Sequence, residues 1–326
     1  MNNSQAVQDP AVDISVIIVS YNTSELLGKC VDALNKAKGT LSLQVIIVDN
    51  ASQDGSRALL ENKFSDCDLI FNEVNVGFGR ANNQALPLLQ GRYVLLLNTD
   101  AFISSDTLDK TINYMESSPN CGVLGVKLVG RDGELQPSCR YFPYPISVFM
   151  SRSGLARFFS GIKLVDDLSW DHDSVRKCDW VPGCYYLIRR EVVDQIGLFD
   201  PRYFLYYEEV DHCRAVKNAG WDVVYFPDTM VIHLGGESAK SEGELTPGSQ
   251  QIEALQIESE LLYFRKNHGF MAVCVGAILT SLADIIQVIK KLLKCKRPIG
   301  FANYYKHIAL VWRLLILTRF GSYPTR

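Results

Sequence analysis

The first hundred residues alternate between short apolar runs and helical or polar segments, and this alternation restricts the fold more than any other feature. The runs lie at residues 14–19, 45–48, 68–71 and 93–97. Uninterrupted apolar runs of this length predict strands buried on both faces. Strands that alternate with helices pair in parallel through right-handed crossovers. The sequence therefore predicts an α/β fold with a Rossmann-like, mostly parallel sheet flanked by helices.

The rest of the chain continues this pattern. We expect helices at residues 80–89, 107–117, 191–196 and 209–218, and further strands of the same sheet near residues 180–188 and 223–226. Residues 140–179 contain several prolines and aromatic residues and predict an irregular stretch with a mobile loop. An amphipathic helix over residues 252–266 leads into an apolar and basic C-terminal segment.

Charge is distributed unevenly along the chain. The net charge is −3, but nine Lys or Arg residues and no Asp or Glu follow Asp284, which leaves about −12 on the preceding part. Basic residues interleaved with Val, Ile and Leu are typical of a helix on an anionic membrane surface, so lipid rather than nucleic acid is the expected partner. We expect this segment to anchor the protein and to be dispensable for ligand binding elsewhere.

Residues 271–289 are almost long enough to cross a bilayer. Their one charged residue is Asp284, and Ser281 and Gln287 add polar groups. Polar groups at these positions favour a helix packed on the domain over a membrane span.

The cysteines and the N-terminus indicate a compartment. Nine cysteines occur without a CxxC pair, and residues 1–13 lack the basic and then apolar pattern of a signal peptide. We therefore expect free thiols and a cytoplasmic protein.

Polar residues follow each of the four predicted strands, where the carboxyl ends of parallel strands form a ligand-binding crevice. These residues are Ser20, Tyr21, Asn22, Asp49, Asn50, Asp54, Asn75, Gly77, Gly79, Asn82, Asn98 and Asp100. The Tyr21 ring could stack on a base, while Asp49 and Asn50 could hydrogen-bond a base or ribose. The alternative for Asp49 and Asn50 is a turn that caps the strand end.

The segment from Gly77 to Asn82 superficially resembles a dinucleotide-binding fingerprint. Asn82 occupies the third glycine position, and the segment follows the third strand instead of the first, which argues against a dehydrogenase. Gly77 and Gly79 could still bring backbone N–H groups close to a diphosphate. A plain tight turn explains them equally well.

Asp100 is the best metal-ligand candidate, because Mg²⁺ and Mn²⁺ take hard oxygen ligands and bridge carboxylates to substrate phosphates. His233 follows a short apolar strand and precedes two glycines, which would let a ligand approach closely. A lone histidine is also common in a purely structural role.

Glu208, Glu209 and Asp211 crowd three acids into four positions. Such crowding raises at least one carboxyl pKa in a partly dry site and suits a general base. The alternative is that these acids have no catalytic role and only stabilise the start of a helix, where the helix dipole is positive. Trp180 and Gly183 could form a wall for a sugar or part of the core.

These motifs occur in an order that resembles the family 2 inverting glycosyltransferases with the GT-A fold, and within them the bacterial rhamnosyltransferases. The resemblance covers residues 14–238. It rests on blocks at residues 15–22, 48–56, 75–79, 97–100, 180–183 and 204–211, and on His233.

The resemblance implies roles for individual residues. Asp49, with Tyr21 and Asp54, would hold the base and ribose of a nucleotide-sugar donor. Asp100 and His233 would hold Mg²⁺ or Mn²⁺ on the donor diphosphate. Asn98 stands where many relatives have the first Asp of an Asp-x-Asp motif, which leaves the affinity for metal open.

Glu209 falls at the position of the family's catalytic acidic residue. It would take the proton from an acceptor hydroxyl as that oxygen attacks the anomeric carbon, with inversion. Glu replaces the more usual Asp at this position, so Glu208 and Asp211 remain alternative bases.

The subfamily resemblance favours dTDP-L-rhamnose as donor, with UDP-hexose or UDP-N-acetylhexosamine as the alternative. The acceptor would be a lipid-linked saccharide in O-antigen or other surface polysaccharide synthesis, at the cytoplasmic face of the inner membrane. A nucleotidyltransferase and a non-catalytic saccharide-binding module are the alternatives from other classes. The oligomeric state is open, with a homodimer as one alternative.

The expected organisation has three parts. Residues 1–12 form a flexible N-terminus, and residues 13–240 form the GT-A domain. In that domain, residues 13–105 are the nucleotide-binding half and residues 106–240 the acceptor and catalytic half. Residues 250–326 form a helical, basic, membrane-associating extension.

Overall fold

The computed structural model describes residues 12–159, 161–235, 249–294 and 301–326, so the expected flexible N-terminus lies almost entirely outside the described residues. The strands are β1 (Val12–Ser20), β2 (Leu43–Asp49), β3 (Asp68–Phe71), β4 (Gly91–Leu97), β5 (Ala101–Ile103), β6 (Cys121–Val129), β7 (Leu135–Gln136), β8 (Arg176–Lys177), β9 (Tyr185–Arg189) and β10 (Asp222–His233). The helices are α1 (Ser24–Ala37), α2 (Ser56–Lys63), α3 (Phe78–Gln84), α4 (Thr107–Ser117), α5 (Pro145–Ser153), α6 (Arg190–Ile196), α7 (Glu208–Asn218), α8 (Ser249–Leu293) and α9 (Phe301–Leu317).

All described strands belong to one sheet with the order β3-β2-β1-β4-β9-β6-β10-β5, and β7 and β8 pair with β6 and β10. The first four strands run parallel, as do β6 and β10. Strand β9 runs antiparallel between β4 and β6, and β5 runs antiparallel to β10. The predicted α/β class is confirmed, and these antiparallel strands make the sheet mixed.

Proline accounts for three differences between the expected and the observed elements. Helix α3 begins at Phe78 and gives way to a single 3₁₀ turn that contains Pro87, because proline cannot donate to a continuing helix. Strand β9 begins only at Tyr185, after Pro182 and Gly183. The stretch expected to be irregular contains α5, which starts at Pro145, a favourable residue at a first helical position.

Each face of the sheet carries a core, because alternate strand residues point to opposite sides. On one face, Ile14, Val16 and Ile18 of β1 are buried in a cluster that includes residues of α1 and α4. On the other face, Ile17 and Val94 belong to a cluster with residues of α6, α7, α8 and α9. The two C-terminal helices therefore share the core of the sheet domain.

This packing corrects the expectation of a dispensable C-terminal anchor. Val311, Leu314 and Leu315 of α9 are buried in the core. Burial of each side chain of this size contributes about 1.5–3 kcal/mol. Removal of the segment after residue 290 would thus expose the core as well as remove basic charge.

Helix α8 is kinked at Gly269, where φ is +83°. In the described residues it is the one helix long and apolar enough to cross a membrane, and 39% of its most apolar window is buried. Asp284 is fully buried and accepts hydrogen bonds from Arg152 of α5 at 2.8 Å and from His307 Nδ1 of α9 at 2.6 Å. The charged residue that argued against a span thus pairs with the rest of the protein, as expected for a packed helix.

Replacement of Asp284 by Ala is expected to lower the free energy of unfolding by about 3 kcal/mol, because it leaves Arg152 and His307 without their buried partner. Chemical denaturation measures this change. Asp66, an exposed acid, provides the control, since Asp66→Ala should change stability by less than about 0.5 kcal/mol. Equal effects of the two substitutions would contradict the structural role of Asp284.

Candidate active site

The carboxyl ends of β1 and β2 lie side by side, with Ser20 and Asp49 as register partners. Asp49 is buried, and its Oδ2 accepts a hydrogen bond from the backbone N–H of Ser52 at 3.2 Å. Its Oδ1 is buried without a partner. Burial raises the pKa of Asp49. This oxygen is therefore available to a donor group on a ligand at the edge of the sheet.

Asn50 and Asn75 brace the loop that precedes α3. Asn50 donates from Nδ2 to Asn75 Oδ1 at 2.8 Å, and its Oδ1 accepts from the backbone N–H of Val76 at 3.0 Å. Asn75 Oδ1 also accepts from the Gly77 N–H at 2.9 Å. These two amides shape the loop through contacts within the protein.

Asn22 and Asp54 join the first two loops. Asn22 Oδ1 accepts from the Gln53 N–H at 2.7 Å, and Asp54 accepts from the Ser24 N–H at 2.8 Å and from Ser56. Burial raises the pKa of Asp54, but the hydrogen bonds from Ser24 and Ser56 outweigh this effect and lower it. The structure thus gives both side chains loop-stabilising contacts.

Tyr21 does not present an open ring. It is only 9% exposed and belongs to an apolar cluster with Leu255 of α8, against which Phe204 and Tyr206 pack. This burial does not agree with a role as an exposed stacking surface for a base. It instead connects the first loop to α8.

The glycines before and within α3 allow a close approach of another loop. Gly77 has φ +89°, and a Cβ there would lie 2.4 Å from the carbonyl oxygen of Phe204. That oxygen accepts a hydrogen bond from the Phe78 N–H at 2.8 Å. Gly79 faces the same segment, with Glu208 Cβ 3.7 Å from its own ideal Cβ position. Gly77 is thus needed for the close approach of the α3 loop to Phe204, whereas a Cβ at Gly79 would make only ordinary van der Waals contacts.

Asn82 and Asn98 each carry an unsatisfied oxygen. Asn82 donates from Nδ2 to the Phe78 carbonyl at 2.9 Å, while its Oδ1 is buried without a partner. The Asn98 backbone N–H donates to Cys184, and its side-chain Oδ1 is also buried and unpaired.

The structure brings Asp100 and His233 together. Pairing of β5 with β10 sets His233 opposite Ala101, and His233 Nε2 lies 3.6 Å from Asp100 Oδ1. On its other side, His233 Nδ1 lies 2.9 Å from Gln136 Oε1 and donates to it in the tautomer that leaves Nε2 free. Burial lowers the pKa of His233 and favours this neutral ring.

An oxygen and a nitrogen ligand side by side, with the imidazole oriented by an amide, fit Mg²⁺ or Mn²⁺ whose other ligands are water or phosphate. No cluster of three or more His, Cys, Asp or Glu side chains that could hold a metal occurs among the described residues. Gly236, which follows this site, lies outside them. Sequence reasoning missed Gln136, which lies on a strand of only two residues.

The turn before α7 holds two consecutive residues in the left-handed region, Tyr206 at φ +70° and Tyr207 at φ +68°. Each such residue costs on the order of 1–3 kcal/mol. Helix α8 stabilises the turn, because Ser259 Oγ donates to the Leu205 carbonyl and Tyr207 OH donates to Glu260 Oε2, both at 2.9 Å. Sequence reasoning missed Ser259 and Glu260, since nothing in the sequence links them to this turn.

The two glutamates at the start of α7 differ in position. Glu208 is 4% exposed and lies under Gly79. Glu209 lines a cavity of about 510 Å³ together with Arg140 and Trp180. The Oε2 atoms of both glutamates are buried without a partner. Of the two acids, Glu209 is thus the one placed to meet a ligand in this cavity.

Burial raises the pKa of both glutamates, and repulsion by Glu209 raises that of Glu208 further. Arg140 opposes the effect at Glu209. Arg140 therefore favours a negative charge on Glu209 in preference to Glu208.

The third acid of this group, Asp211, is in a different environment. It is 4% exposed, forms an ion pair with Lys266 of α8 and accepts from Asn267 Nδ2 at 2.8 Å. Lys266 also binds Asp200 at 2.7 Å. Asp211 thus ties α7 to α8, and it is not among the residues that line the cavity.

The cavity lies between the sheet domain and the C-terminal helices. Its walls combine Trp180 and Arg140 with Glu253, Gln256 and Glu260 of α8 and His307 of α9, among others. The Arg140 guanidinium lies 4.8 Å from the centre of the Trp180 ring. Gly183 borders Glu209, whose Cβ is 3.9 Å from the ideal Cβ position of the glycine. Aromatic and carboxylate groups in one cavity suit a ligand rich in hydroxyls.

Unsatisfied polar atoms concentrate at this edge. Of the eight buried side-chain atoms without a hydrogen-bond partner in the described part of the chain, five belong to Asp49, Asn82, Asn98, Glu208 and Glu209. Folded proteins satisfy most buried polar groups, so each exception needs an explanation. A ligand that supplies hydrogen-bond donors to the sheet edge and to the cavity would account for the unpaired atoms of Asp49 and Glu209.

Comparison with known proteins gives one family match, to Glycosyl transferase family 2, over residues 15–159. The chain is 26% identical over 239 residues to the N-acetylglucosaminyl-diphospho-decaprenol L-rhamnosyltransferase of Mycobacterium tuberculosis, covering 68% of this chain and 75% of that protein. It is 26% identical over 238 residues to rhamnosyltransferase WbbL of Escherichia coli, covering 70% of this chain and 86% of that protein.

Among solved structures, the fold is similar to the mannosyltransferase PcManGT of Pyrobaculum calidifontis in complex with GDP-Man and Mn²⁺. The TM-score is 0.56 at 15% sequence identity, and the match covers 96% of this chain and 89% of that chain. At this identity the likeness establishes the fold alone.

Replacement of Gly77 by Ala is expected to destabilise the protein through both backbone strain and collision with Phe204. Gly133 is the matched control, since it has φ +80° but nothing within 4 Å of its ideal Cβ position. Gly133→Ala should cost about 1–2 kcal/mol from strain alone, and Gly77→Ala about 1–3 kcal/mol more. Denaturation measures both, and equal losses would show that the Phe204 contact is not tight.

Proposed function

We propose an inverting transfer of L-rhamnose from dTDP-L-rhamnose, from the premise that the chain carries a glycosyl transferase family 2 domain on a GT-A fold and is a glycosyltransferase. The acceptor in this proposal is a lipid-linked saccharide of bacterial surface polysaccharide synthesis. The alternative donors are UDP-hexose and UDP-N-acetylhexosamine. The family match also argues against a nucleotidyltransferase and a non-catalytic saccharide-binding module.

One observation carries the mechanism: Glu209 lines the cavity, and its Oε2 has no hydrogen-bond partner. The donor is assigned to the edge, where Asp49 Oδ1 accepts a hydrogen bond from the base or ribose. The acceptor saccharide is assigned to the cavity, against Trp180 and the carboxylates of α8. In this arrangement residues 13–105 serve the nucleotide, and residues 106–240 with α8 serve the acceptor.

Asp100 and His233 would hold Mg²⁺ or Mn²⁺. When bound, such an ion offsets the charge of the nucleoside diphosphate as it leaves. Gln136 keeps the His233 ring in the orientation that exposes Nε2. The hydrogen bond between His233 and Gln136 is the observation that supports a metal site here.

In the proposed reaction, the acceptor hydroxyl oxygen attacks the anomeric carbon while its proton passes to Glu209. The bond from the anomeric carbon to the diphosphate oxygen breaks, and the diphosphate leaves with the electron pair. A single displacement inverts the anomeric configuration. The raised pKa of Glu209 brings the base nearer to neutral pH, where proton transfer is most effective.

The choice of rhamnose rests on the two relatives that are named rhamnosyltransferases. A donor screen tests it, with nucleoside diphosphate release followed for dTDP-L-rhamnose, UDP-glucose, UDP-galactose and UDP-N-acetylglucosamine, with and without Mn²⁺. The expected result is selective turnover of dTDP-L-rhamnose. Turnover of a UDP-sugar alone would replace the donor and retain the mechanism.

Replacement of Glu209 by Gln is expected to lower kcat by about 10²–10⁴-fold, the usual contribution of a general base. Affinity for the donor, measured by calorimetry, should stay within about twofold because the donor is assigned to other residues. Glu208→Gln is the matched control and should retain more activity. The base assignment would be wrong if Glu208→Gln lost turnover and Glu209→Gln kept it.

We propose attachment to the inner membrane surface through α8 and α9, with the protein at the cytoplasmic face and without a span. Burial of Asp284 on the domain supports a helix that lies on the membrane, because a span would separate it from Arg152. The outer face of α8 is strongly apolar and exposed, with Met271, Val275, Ile278, Leu282, Ile285, Ile289 and Leu292. An apolar face of this kind flanked by basic residues binds anionic bilayers.

Leu282→Gln combined with Ile289→Gln is expected to weaken binding to vesicles that contain anionic lipid by at least about tenfold, since each side chain would insert an apolar surface. Flotation with vesicles measures the bound fraction. Val74→Gln combined with Leu88→Gln is the control, because these exposed apolar residues are not part of α8 or α9. Equal loss in the two double variants would indicate that α8 is not the attachment surface.

A further inference from the structure

A second, strongly basic pocket lies next to the proposed acceptor cavity. It has a volume of about 320 Å³ and is lined by Gly154, Arg157, Gln287, Lys290, Lys291 and Lys294. Four of these six residues are cations and none is acidic. A concave site lined by one sign of charge concentrates ligands of the opposite charge.

The floor of this basic pocket is fixed by contacts between α5 and α8. Lys290 Nζ donates to the Ser153 carbonyl, and Gln287 Nε2 donates to the Arg152 carbonyl, both at 2.7 Å. Lys291 lies over the Tyr304 ring at 4.7 Å. The described residues include no carboxylate that forms a salt bridge with any of the four cations. Their charge is thus open to an external anion.

Exposed apolar side chains neighbour the basic pocket residues along the chain. Phe158 is 65% exposed and Leu293 78%, and Ile289 and Leu292 are also exposed. Phe158 follows Arg157 directly, and the other three lie on the same turns of α8 as the lysines. Basic groups next to exposed apolar groups match the boundary between lipid phosphates and acyl chains.

The basic pocket and the cavity of Glu209 share two structural elements. Arg152 lines the cavity, and Gly154 two residues later lines the basic pocket. On α8, Thr280 lines the cavity and Gln287 the basic pocket. Seven helical residues span about 10 Å. One amphiphilic molecule longer than this separation can therefore contact both sites by passing over buried Asp284, which pairs with Arg152 and lies between Thr280 and Gln287 along α8.

We propose that the basic pocket binds the diphosphate of a lipid-linked saccharide acceptor. The saccharide occupies the Glu209 cavity, the diphosphate meets Arg157, Lys291 and Lys294, and the hydrocarbon follows the apolar face of α8. This inference rests on the proposed function, since it assigns the acceptor of that reaction. Several cations in a concave site favour a multiply charged diphosphate over a single phosphodiester.

Direct binding tests the inference without any turnover. The probe is geranyl diphosphate, with geraniol as the uncharged comparison, measured by calorimetry on the full chain. The variant is Lys291→Gln with Lys294→Gln, and the control is Lys29→Gln with Lys36→Gln, which are exposed lysines on α1. Geranyl diphosphate should bind wild type and the control variant, and it should bind the pocket variant at least about tenfold more weakly. The affinity for geraniol should not differ between the pocket variant and the control. Equal affinity for variant and control, or no binding to wild type, would overturn the inference.

A kinetic experiment in nonionic detergent separates the acceptor diphosphate from membrane phospholipid, which is absent there. The pocket variant should raise KM at least about tenfold for a prenyl-diphosphate-linked saccharide. KM for an alkyl glycoside of the same saccharide should not change. An unchanged KM for the diphosphate acceptor, or an equal rise for both acceptors, would overturn the inference. If wild type transfers sugar to neither acceptor, the proposed function fails, while geranyl diphosphate binding still decides the role of the pocket.

Discussion

The left-handed turn at Tyr206 and Tyr207 is the constraint on which the rest of the site depends. Two consecutive non-glycine residues in this region are costly, and contacts from other elements offset that cost. Ser259 and Glu260 of α8 form hydrogen bonds with the turn, and Gly77 of the α3 loop packs closely against Phe204, which precedes the turn. The position of Glu209 at the start of α7 thus depends jointly on the α3 loop and on α8.

Much of the sheet and part of the site could be predicted from the sequence, because local patterns determine them. Apolar runs predicted the first strands within a few residues. Asp100 and Glu209 were candidates because they are acids at the end of a strand and at the start of a helix. The pairing of Asp100 with His233 needed the family resemblance, since 133 positions separate them in the sequence. The same local reasoning overestimated Tyr21, whose ring is buried by the distant Leu255.

The residues that support the site could not be predicted, because they act across long sequence separations. Gln136 orients His233 from a two-residue strand, and Glu260 reaches Tyr207 across 53 positions. The composition of the C-terminal segment predicted a basic anchor, because composition does not reveal that α9 contributes to the core. Its helices instead contribute residues to the core, to the cavity wall and to the basic pocket, and they carry the proposed membrane face.

The anomeric configuration of the product tests the central claim, that Glu209 acts as the single base of a direct displacement. NMR of the isolated disaccharide product gives this configuration from the one-bond coupling at the new anomeric carbon. A direct displacement requires the configuration opposite to that of the donor sugar. Retention of the donor configuration would contradict the account, because it would require a second displacement that one base at this position does not supply.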